Sequence, residues 1–410
     1  MRELYESTSL SEIKVAQKTG FLDWNMQPSI FKYYPSSLFS YSLSTTPQLR
    51  LLYLTRCVTS EFMVAGKPYK RLSTPSAGNL HPLEIYVQIR GVKGILSGIY
   101  HLDSNDDKLV LIRDIEGDGL ELTLGLSGRF KGMIIMCSLV PFRSIWKYDD
   151  RAIRYCYLDL GHQIASLQAA AVSEKQKLTF LSDIDRLGLS KKMGMDEQEQ
   201  IVSVALCGEE GLKPAKQLCS DIMRVQPTDY YEHHQIHESI LSNAEDIRVP
   251  DLLLHDILSL DSHILSRRSA REFILKSMTQ EDLERIMHIV LQLPQTISCH
   301  MVLMRSEETK PGLYQGTCIK REGVFVNEIV ALLLHQQFIY NASAVLVFSS
   351  SDFNAIMLTQ AGVFAHSISI QTQCMGLGSS GVGAFYDKKL QEFIGTQEAI
   401  LYTMAIGYTA

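Results

Sequence analysis

The stretch Tyr86–Tyr100, "YVQIRGVKGILSGIY", decides the fold because it has a counterpart later in the chain. Residues His300–Tyr314 read "HMVLMRSEETKPGLY". Each stretch opens with an apolar run typical of a buried strand and reaches a Gly-x-Tyr motif twelve residues after its start. A match of this kind indicates that the chain carries one structural unit twice.

Further segments repeat in the same order. Residues Ala152–Val172 carry apolar side chains at alternating three- and four-residue steps, which predicts a buried helix. Its Gly161 can be paired with Gly362 in the second half. The order strand, strand, helix, strand therefore occurs twice, and we predict a duplicated α+β unit. The repeated strand candidates are Lys131–Ser138 with Ala342–Ser349, and Val202–Gly208 with Leu401–Gly407.

The composition of the chain argues against several classes of protein. The chain has 410 residues, of which 46% are hydrophobic and 20% charged, as expected for two or three packed domains. The net charge of −6 does not indicate the excess of basic residues that is typical of nucleic-acid-binding proteins. The eight cysteines form no Cys-x-x-Cys motif, the first residues are polar, and no long uncharged apolar run occurs. We expect a soluble cytoplasmic protein that binds neither nucleic acid nor membrane.

The segment Gly376–Phe385, "GLGSSGVGAF", contains the letters of a dinucleotide-binding fingerprint. That fingerprint needs a strand before the glycines and a helix after them. Residues Thr359–Met375 favour a helix upstream, and the few residues that remain downstream barely accommodate a βαβ unit. We therefore expect the glycines to serve a different site or a turn.

The predicted domain boundaries follow from the repeat. Residues 1–35 form a lead segment, 36–208 the first half, 209–262 a helical linker and 263–410 the second half. The linker is charged and contains three prolines, so we expect no core of its own. Its His233 and His237 lie one helical turn apart, the spacing of a metal pair, but no further ligand is identifiable and we predict no metal site.

The two halves are complementary rather than equivalent. Only the first contains "RLSTPSAGNLHPLE" (Arg71–Glu84), and only the second contains "RRSAREF" (Arg267–Phe273) and the glycine segment. If each half retains one part of a site that a symmetric dimer would own twice, the chain holds one composite site at an internal interface.

The chemistry of these segments suits an anionic, flat ligand. An arginine cluster beside a serine suits a phosphate monoester, unless it is simply an exposed basic turn. The small residues of the other two segments allow close backbone approach to a ring, or form an ordinary loop and a helix cap. Lys147 and Tyr148 form either a proton-transfer pair or a solvated helix start. Asp159 and His162 are interpreted as a satisfied polar pair.

Three motifs together resemble the nitroreductase superfamily and, within it, the SagB-type (McbC-like) dehydrogenases. They are "RLSTPSAGNLHPLEIYV…GIYHLD", "KYDDRAIRYCYLDLGH" and "GLGSSGVGAFYD". The opening "YEST…FLDWNMQPSIFKYYP" is similar to the lead segment of tandem members of this group. This group includes the azoline oxidases that act on thiazole- and oxazole-modified peptides.

The resemblance implies an α+β sandwich that dimerises around FMN, here as an intramolecular pseudo-dimer. The first half lacks the arginine and glycine motifs and the second lacks the "PSAG" and "KY" motifs, so we expect one FMN per chain. The residues implied are Arg267, Arg268, Ser269 and Arg271 for the phosphate and ribityl chain; Gly376, Leu377, Gly378, Ser379, Ser380, Gly381 and Gly383 for the ring; Arg71, Pro75, Ser76, Ala77, Gly78 and Asn79 from the other half; and Lys147 and Tyr148 for catalysis.

The function implied is an FMN-dependent oxidoreductase that oxidises an azoline, or a related C–N or C–C bond, in a peptide-derived or small-molecule substrate. Such chemistry belongs to peptide natural product biosynthesis, where other enzymes of a peptide-modifying complex would be partners. Two alternatives stay open: an NAD(P)H-dependent nitro or quinone reductase, and a non-catalytic flavin-binding scaffold. The sequence also leaves open a further homo-oligomer and the choice between Lys147 and Tyr148 as base.

Overall fold

The computed structural model describes residues 2–17, 22–64, 66–220, 222–244, 250, 254 and 257–409. The chain divides into two compact units. We call Asp23–Val249 the first unit, and Met1–Leu22 together with Pro250–Ala410 the second unit. The predicted lead segment 1–35 is therefore divided between the two units, which the sequence did not indicate.

The first unit is built on one large sheet with helices packed against it. Helices α1 (Arg2–Thr8) and α2 (Glu12–Gln17) precede it in the chain and belong to the second unit. The strands of the first unit are β1 (Ser40–Ser42), β2 (Val58–Val64), β3 (Lys67–Leu72), β4 (Leu83–Arg90), β5 (Gly98–Asp103), β6 (Lys108–Asp114), β7 (Asp118–Gly119), β8 (Gly128–Leu139), β9 (Thr179–Phe180), β10 (Gln200–Pro214) and β11 (Lys216–Gln217). Its α-helices are α3 (Arg50–Thr55), α4 (Phe142–Tyr148), α5 (Ala152–Ser173), α6 (Arg186–Lys192) and α7 (Gln235–Ser242).

The sheet order of the first unit is β1-β6-β5-β4-β8-β10-β9, with antiparallel neighbours throughout. Strand β4 lies in the middle and all its residues are buried, as expected for a central strand rich in β-branched and aromatic side chains. It pairs with β8 in a register that places Val87 opposite Ile135. Strands β2 and β3 form a separate hairpin.

The second unit has a smaller sheet. Its strands are β12 (Ser298–Leu303), β13 (Gly312–Gln315), β14 (Cys318–Glu322), β15 (Ala344–Ser350), β16 (Leu377–Val382) and β17 (Ala399–Tyr408). Its remaining α-helices are α8 (Leu260–Ser266), α9 (Gln280–Leu291), α10 (Val326–Leu332), α11 (Ala355–Cys374) and α12 (Asp387–Ile394). Thr279 caps α9, because its hydroxyl accepts a hydrogen bond from the Asp282 amide at 3.2 Å.

The predicted duplication is confirmed by strand order. The second sheet runs β14-β13-β12-β15-β17-β16, and the first contains the same succession as β6-β5-β4-β8-β10-β9. The Gly-x-Tyr motifs begin β5 and β13, and their tyrosines make equivalent bonds. The Tyr100 hydroxyl donates to the Leu96 carbonyl at 2.7 Å, and the Tyr314 hydroxyl to the Lys310 carbonyl at 2.6 Å. The α+β fold class is therefore as the sequence predicts.

A long central helix follows the same strand in each unit. Helix α5 follows β8, and helix α11 follows β15. Almost every residue of α5 is buried, which suits a helix that is apolar on most of its faces. Asn354 begins α11 by accepting a hydrogen bond from the Met357 amide at 2.8 Å. Both helices match the segments that apolar spacing predicts.

The prediction of a helical linker is wrong for residues 209–217. Strand β10 continues through Pro214, and Glu209 and Glu210 pair with Lys131 and Phe130 of β8. The charges that suggested a linker are instead side chains of an exposed strand extension, which needs no apolar core. Helix α7 does lie within the predicted linker. In the described part of the chain, no helix combines the length and apolar character required to span a membrane.

Candidate functional site

The segment Pro75–Asn79 forms a tight turn after the β2–β3 hairpin. Gly78 and Asn79 both adopt positive φ angles, 63° and 60°, which a turn tolerates best with Gly and Asn. The Asn79 amide donates to the Lys70 carbonyl at 2.9 Å, and the His81 ring contacts the Asn79 side-chain oxygen at 3.1 Å. These contacts hold the turn in one conformation.

The carboxylate of Asp159 anchors this turn to the middle of α5. The Ser76 hydroxyl donates to it at 2.6 Å, and the Ala77 amide donates at 3.1 Å. Burial raises the pKa of Asp159 to about 7, although these hydrogen bonds and Arg56 act in the opposite direction. Local spacing had suggested only a polar pair with His162, because helix periodicity cannot show a contact to a turn that lies far away in sequence.

Replacing Asp159 by Asn is expected to remove one pH-dependent contribution to stability. The folded pKa of about 7 lies above the ordinary value of 3.8, so the folded chain binds the proton more tightly than the unfolded chain. The resulting stabilisation is fully present below about pH 4 and is lost as the pH rises through about 7, at no more than about 1.4 kcal/mol per pH unit. Urea unfolding from about pH 5 to about pH 8 measures it. Parallel pH profiles for the two proteins would contradict this assignment.

Lys147 and Tyr148 lie at the carboxyl end of the short helix α4, directly beside the turn. A Cβ atom built on Gly78 would lie 2.5 Å from the Tyr148 hydroxyl and 3.1 Å from the Lys147 ammonium nitrogen. Glycine is favoured there because its φ angle is positive, and a Cβ would also require the ends of the Tyr148 and Lys147 side chains to shift. The structure thus brings together two predicted groups of site residues, the "PSAG" turn and the Lys-Tyr pair.

Aromatic rings surround this pair. The Lys147 nitrogen lies 4.8 Å from the Trp24 ring centroid and 5.4 Å from that of Tyr148. Trp24 makes an edge contact with Trp146 at 5.5 Å, and Tyr148 packs against Tyr155 at 4.3 Å between ring centroids. Both distances are within the range of a cation–π contact. Sequence reasoning missed Trp24, since nothing local links it to α4.

A buried ion pair fixes the start of α4. Arg143 and Glu84 approach to 2.7 Å, and Arg143 also donates to the carbonyls of His81 and Pro227 at 2.8 and 2.7 Å. Burial alone would raise the pKa of Glu84, but Arg143, His101 and Arg56 hold it well below its ordinary range. The helix that carries Lys147 is therefore tied both to β4 and to the segment that follows the "PSAG" turn.

A second buried network stands beside the first. The Glu199 carboxylate accepts hydrogen bonds from Lys32 at 2.6 Å, the Tyr86 hydroxyl at 2.9 Å and the Ser138 hydroxyl at 2.6 Å. The pKa of Lys32 lies above its ordinary value, because the attraction of Glu199 outweighs the lowering effect of burial. The second unit keeps part of this arrangement, since the Ser349 hydroxyl donates to Glu398 at 2.7 Å.

The arginine segment of the second unit lies against strand β16. Ser269 and Ser379 form a parallel bridge, and the Ala270 amide donates to the Ser379 carbonyl at 2.9 Å. Gly378 permits this approach, because a Cβ there would come within 3.0 Å of the Ala270 methyl group. The two predicted parts of the phosphate and ring site in this unit are therefore adjacent.

The arginines differ in environment. Arg267 is buried, and burial together with the neighbouring Arg268 lowers its pKa to about 10, so it remains a cation near neutral pH. Arg268 donates to the carbonyls of Leu265 and Arg267 at 2.8 and 2.7 Å. Arg271 is exposed and lies over the Phe338 ring at 5.4 Å. In the first unit, Arg71 lies over the Phe62 ring at 4.8 Å.

The glycine segment is a strand and not a loop over most of its length. Residues Leu377–Val382 form β16, which pairs antiparallel with β17 and follows the predicted helix α11. A dinucleotide-binding turn has the opposite order, so the structure agrees with its exclusion. Within the described residues, the buried Ser380 hydroxyl has no hydrogen-bond partner. An unsatisfied buried hydroxyl is costly, which suits a position that a polar ligand completes.

The two histidines at helical spacing, His233 and His237, lie in different environments. His237 is buried and its ring contacts the Glu197 carbonyl at 2.8 Å, whereas His233 is exposed near Glu238. Burial lowers the pKa of His237. Among the described residues, no group of three or more His, Cys, Asp and Glu side chains could hold a metal ion. His237 thus acts as a packing contact of α7.

Residues 264–408 match the model of the Nitroreductase family. A Methanocaldococcus jannaschii protein named as a candidate nitroreductase, MJ1384, is 33% identical over 108 residues, which is 25% of this chain. The chain spans about half of that relative, 52% of its length.

A solved structure resembles this chain beyond residues 264–408. A crystal structure of a candidate nitroreductase from Anabaena variabilis aligns over 100% of this chain and 99% of its own, with a TM-score of 0.80 and 20% identity. At this identity the comparison shows a shared fold for the whole chain. The Escherichia coli microcin synthetase McbBCD complex also aligns, over 51% of this chain and 86% of its own, but at 15% identity and a TM-score of 0.33 it supports no argument.

The segment that matches the Nitroreductase model contains Arg267–Arg271 and Gly376–Gly383, whereas Arg71, Pro75–Asn79, Lys147 and Tyr148 lie in the first unit. Each group is assembled within its own unit. The expectation that both groups serve one FMN remains a prediction. Asp159, Trp24 and Arg143 are the neighbours of the first group that sequence reasoning did not assign to it.

Proposed function

We propose that the protein is an FMN-dependent oxidoreductase. The observation that carries the proposal lies in the segment that matches the Nitroreductase model, where Arg267–Ser269 adjoins the small-residue strand β16 and Ser380 offers a buried hydroxyl without a partner. A buried cation close to a buried hydroxyl that lacks a protein partner suits an anionic cofactor with polar groups. These residues fit FMN on chemical grounds.

Within this proposal, Arg267, Ser269 and Arg271 hold the phosphate and ribityl chain, and residues of Gly376–Gly383 lie along the ring. The hydroxyl of Ser380 supplies a hydrogen bond that the protein itself leaves unused. FMN supplies the capacity to accept two electrons as a hydride. Arg268 contributes less, because its guanidinium already serves two backbone carbonyls.

Replacing Arg271 by Ala is expected to weaken FMN binding about 10- to 100-fold, the usual loss for one charge-assisted contact. Arg271 is exposed, so the change leaves folding almost unaffected. The matched control is Arg285→Ala, an exposed arginine of α9 whose partner is Glu281 at 2.5 Å. Titration of the unloaded chain with FMN, followed by flavin fluorescence, measures both affinities. Equal affinities for the two variants would remove Arg271 from the site.

Lys147 and Tyr148 are proposed to move the proton that leaves the substrate. Their polar atoms both face the position of Gly78, so a substrate atom near this turn meets an ammonium and a phenol together. The ammonium stabilises a neighbouring negative charge, and the phenol donates or accepts a proton. Asp159 keeps the turn in place and acts as a positioning residue.

The substrate is proposed to be an azoline ring in a peptide-derived compound, which loses one hydride and one proton as it becomes aromatic. Support comes from the motif set that resembles SagB-type dehydrogenases, including Lys147-Tyr148. Partners in this setting are the peptide substrate and other enzymes of a peptide-modifying complex. Incubating the FMN-loaded chain with a thiazoline-containing peptide under air should lower the peptide mass by about 2 Da per ring, the two hydrogens lost.

A second candidate is an NAD(P)H-dependent nitro or quinone reductase. The match to the Nitroreductase model and the names of the similar proteins from Methanocaldococcus jannaschii and Anabaena variabilis favour it. Anaerobic mixing of the FMN-loaded chain with NADPH distinguishes the two. Rapid loss of the flavin absorbance would favour the reductase, and retention of the colour together with azoline oxidation would favour the oxidase.

A further inference from the structure

An exposed tryptophan stands next to the proposed proton-transfer pair. Trp24 belongs to a short 3-10 turn, Trp24–Met26, and keeps 52% of its surface exposed. Its indole contacts both Trp146 and the ammonium of Lys147. A large apolar side chain with half its surface in water is common in isolation, but here it adjoins groups with a proposed chemical role.

The turn that carries Trp24 is firmly attached to the first unit. The Asp23 carboxylate accepts the Asn25 amide at 3.0 Å, and the Ser29 amide donates to Asp229 at 2.8 Å. The Tyr230 hydroxyl also donates to the Met26 carbonyl. The indole is therefore held on an anchored segment, and binding to it costs little ordering of the backbone.

We propose that Trp24 forms one wall of a substrate subsite that takes a planar aromatic or heteroaromatic ring adjacent to the reacting group. This inference rests on the proposed function, because it places the ring beside Lys147 and Tyr148. The chemistry of the Trp24 indole determines which group the subsite binds. An indole offers a flat, electron-rich face, and aromatic rings prefer edge or offset contacts with such a face. The subsite is continuous with the proton-transfer pair, since Lys147 contacts the same indole.

The chain has two tryptophans, Trp24 and Trp146, and they contact each other. Intrinsic tryptophan fluorescence therefore reports only on the surroundings of these two residues, at the proposed subsite. The probes are 2-phenyl-2-thiazoline and 2-methyl-2-thiazoline, which share the azoline and differ in the ring attached to it. The phenyl compound should change the fluorescence at about 3- to 10-fold lower concentration than the methyl compound, the range expected for one aromatic contact.

Substitutions distinguish a subsite that binds the attached ring from a general effect on substrate binding. Trp24→Ala should raise Kd and KM about 3- to 10-fold more for the phenyl probe than for the methyl probe. Trp24→Phe should restore most of the preference. The control is Phe39→Ala, which removes a 51% exposed ring of the same unit that also makes an edge contact, with Tyr41 at 4.9 Å.

The test of the subsite does not depend on whether the chain binds FMN. Calorimetric titration gives the ratio of phenyl to methyl affinity for the purified chain, whether or not it holds flavin. A ratio that falls in Trp24→Ala and not in Phe39→Ala supports the subsite. An unchanged ratio in a chain that binds FMN and turns over an azoline overturns the subsite and leaves the proposed function intact. A reduced ratio in a chain that takes up no FMN keeps the subsite and overturns the function.

Discussion

Replacing Lys147 by Met and Tyr148 by Phe together is expected to lower turnover at least about 100-fold while FMN stays bound. Proton transfer by a positioned side chain contributes about 10²- to 10⁴-fold to enzymatic rates. Both substitutions keep the shape of the site. Met retains an unbranched side chain beside the Trp24 ring, and Phe retains the contact with Tyr155 at 4.3 Å.

The flavin absorption spectrum and steady-state kinetics test this expectation. Each single variant shows which group is indispensable, because the group that takes the proton should account for most of the loss in kcat. Lys108→Met serves as the control, since it removes an exposed lysine of the same unit. Full turnover by the double variant would eliminate the pair from the mechanism, and loss of the bound flavin would assign it to cofactor retention.

Replacing Lys32 by Met is expected to reduce the free energy of unfolding by about 3–5 kcal/mol, the usual effect of leaving a buried charge without its partner. Lys32 and Glu199 each expose only 1% of their side chains and approach to 2.6 Å. The carboxylate would then rely on the hydroxyls of Tyr86 and Ser138 alone. Urea unfolding monitored by tryptophan fluorescence measures the change.

Two comparisons identify the cause of this loss. The double variant Lys32→Met with Glu199→Gln removes both charges and should recover part of the stability, because no uncompensated carboxylate remains. Lys108→Met breaks the exposed pair with Asp106, at 3.2 Å and 46% exposure on each side, and should cost about 1 kcal/mol or less. A similar loss in the Lys32 and Lys108 variants would show that burial of the pair is energetically unimportant.

Local patterns predicted the regular elements well. The buried strands β4 and β8 and the helices α5 and α11 appear where apolar runs and helical spacing place them. The duplication could also be read from sequence, because each Gly-x-Tyr motif marks the same strand start. These features depend on neighbouring residues, which the linear sequence displays directly.

Sequence patterns did not predict the contacts between segments that lie far apart in the chain. Asp159 binds Ser76 across 83 positions, and Trp24 meets Lys147 although no local motif connects them. The glycine segment resembled a loop because its residues are small, whereas pairing with β17 makes most of it a strand. The charged segment after Gly208 resembled a linker for a similar reason, since pairing with β8 is not visible in its composition.

The repeated strand order has an evolutionary consequence. In an assembly of identical subunits every substitution enters both copies at once, so a change that benefits one copy is constrained by its effect on the other. Here the two sheets have separate coding sequences within one gene, and each can diverge alone. Among the described contacts, a Glu–Ser hydrogen bond occurs in both units, whereas the lysine that binds Glu199 belongs to the first, a difference that independent divergence permits.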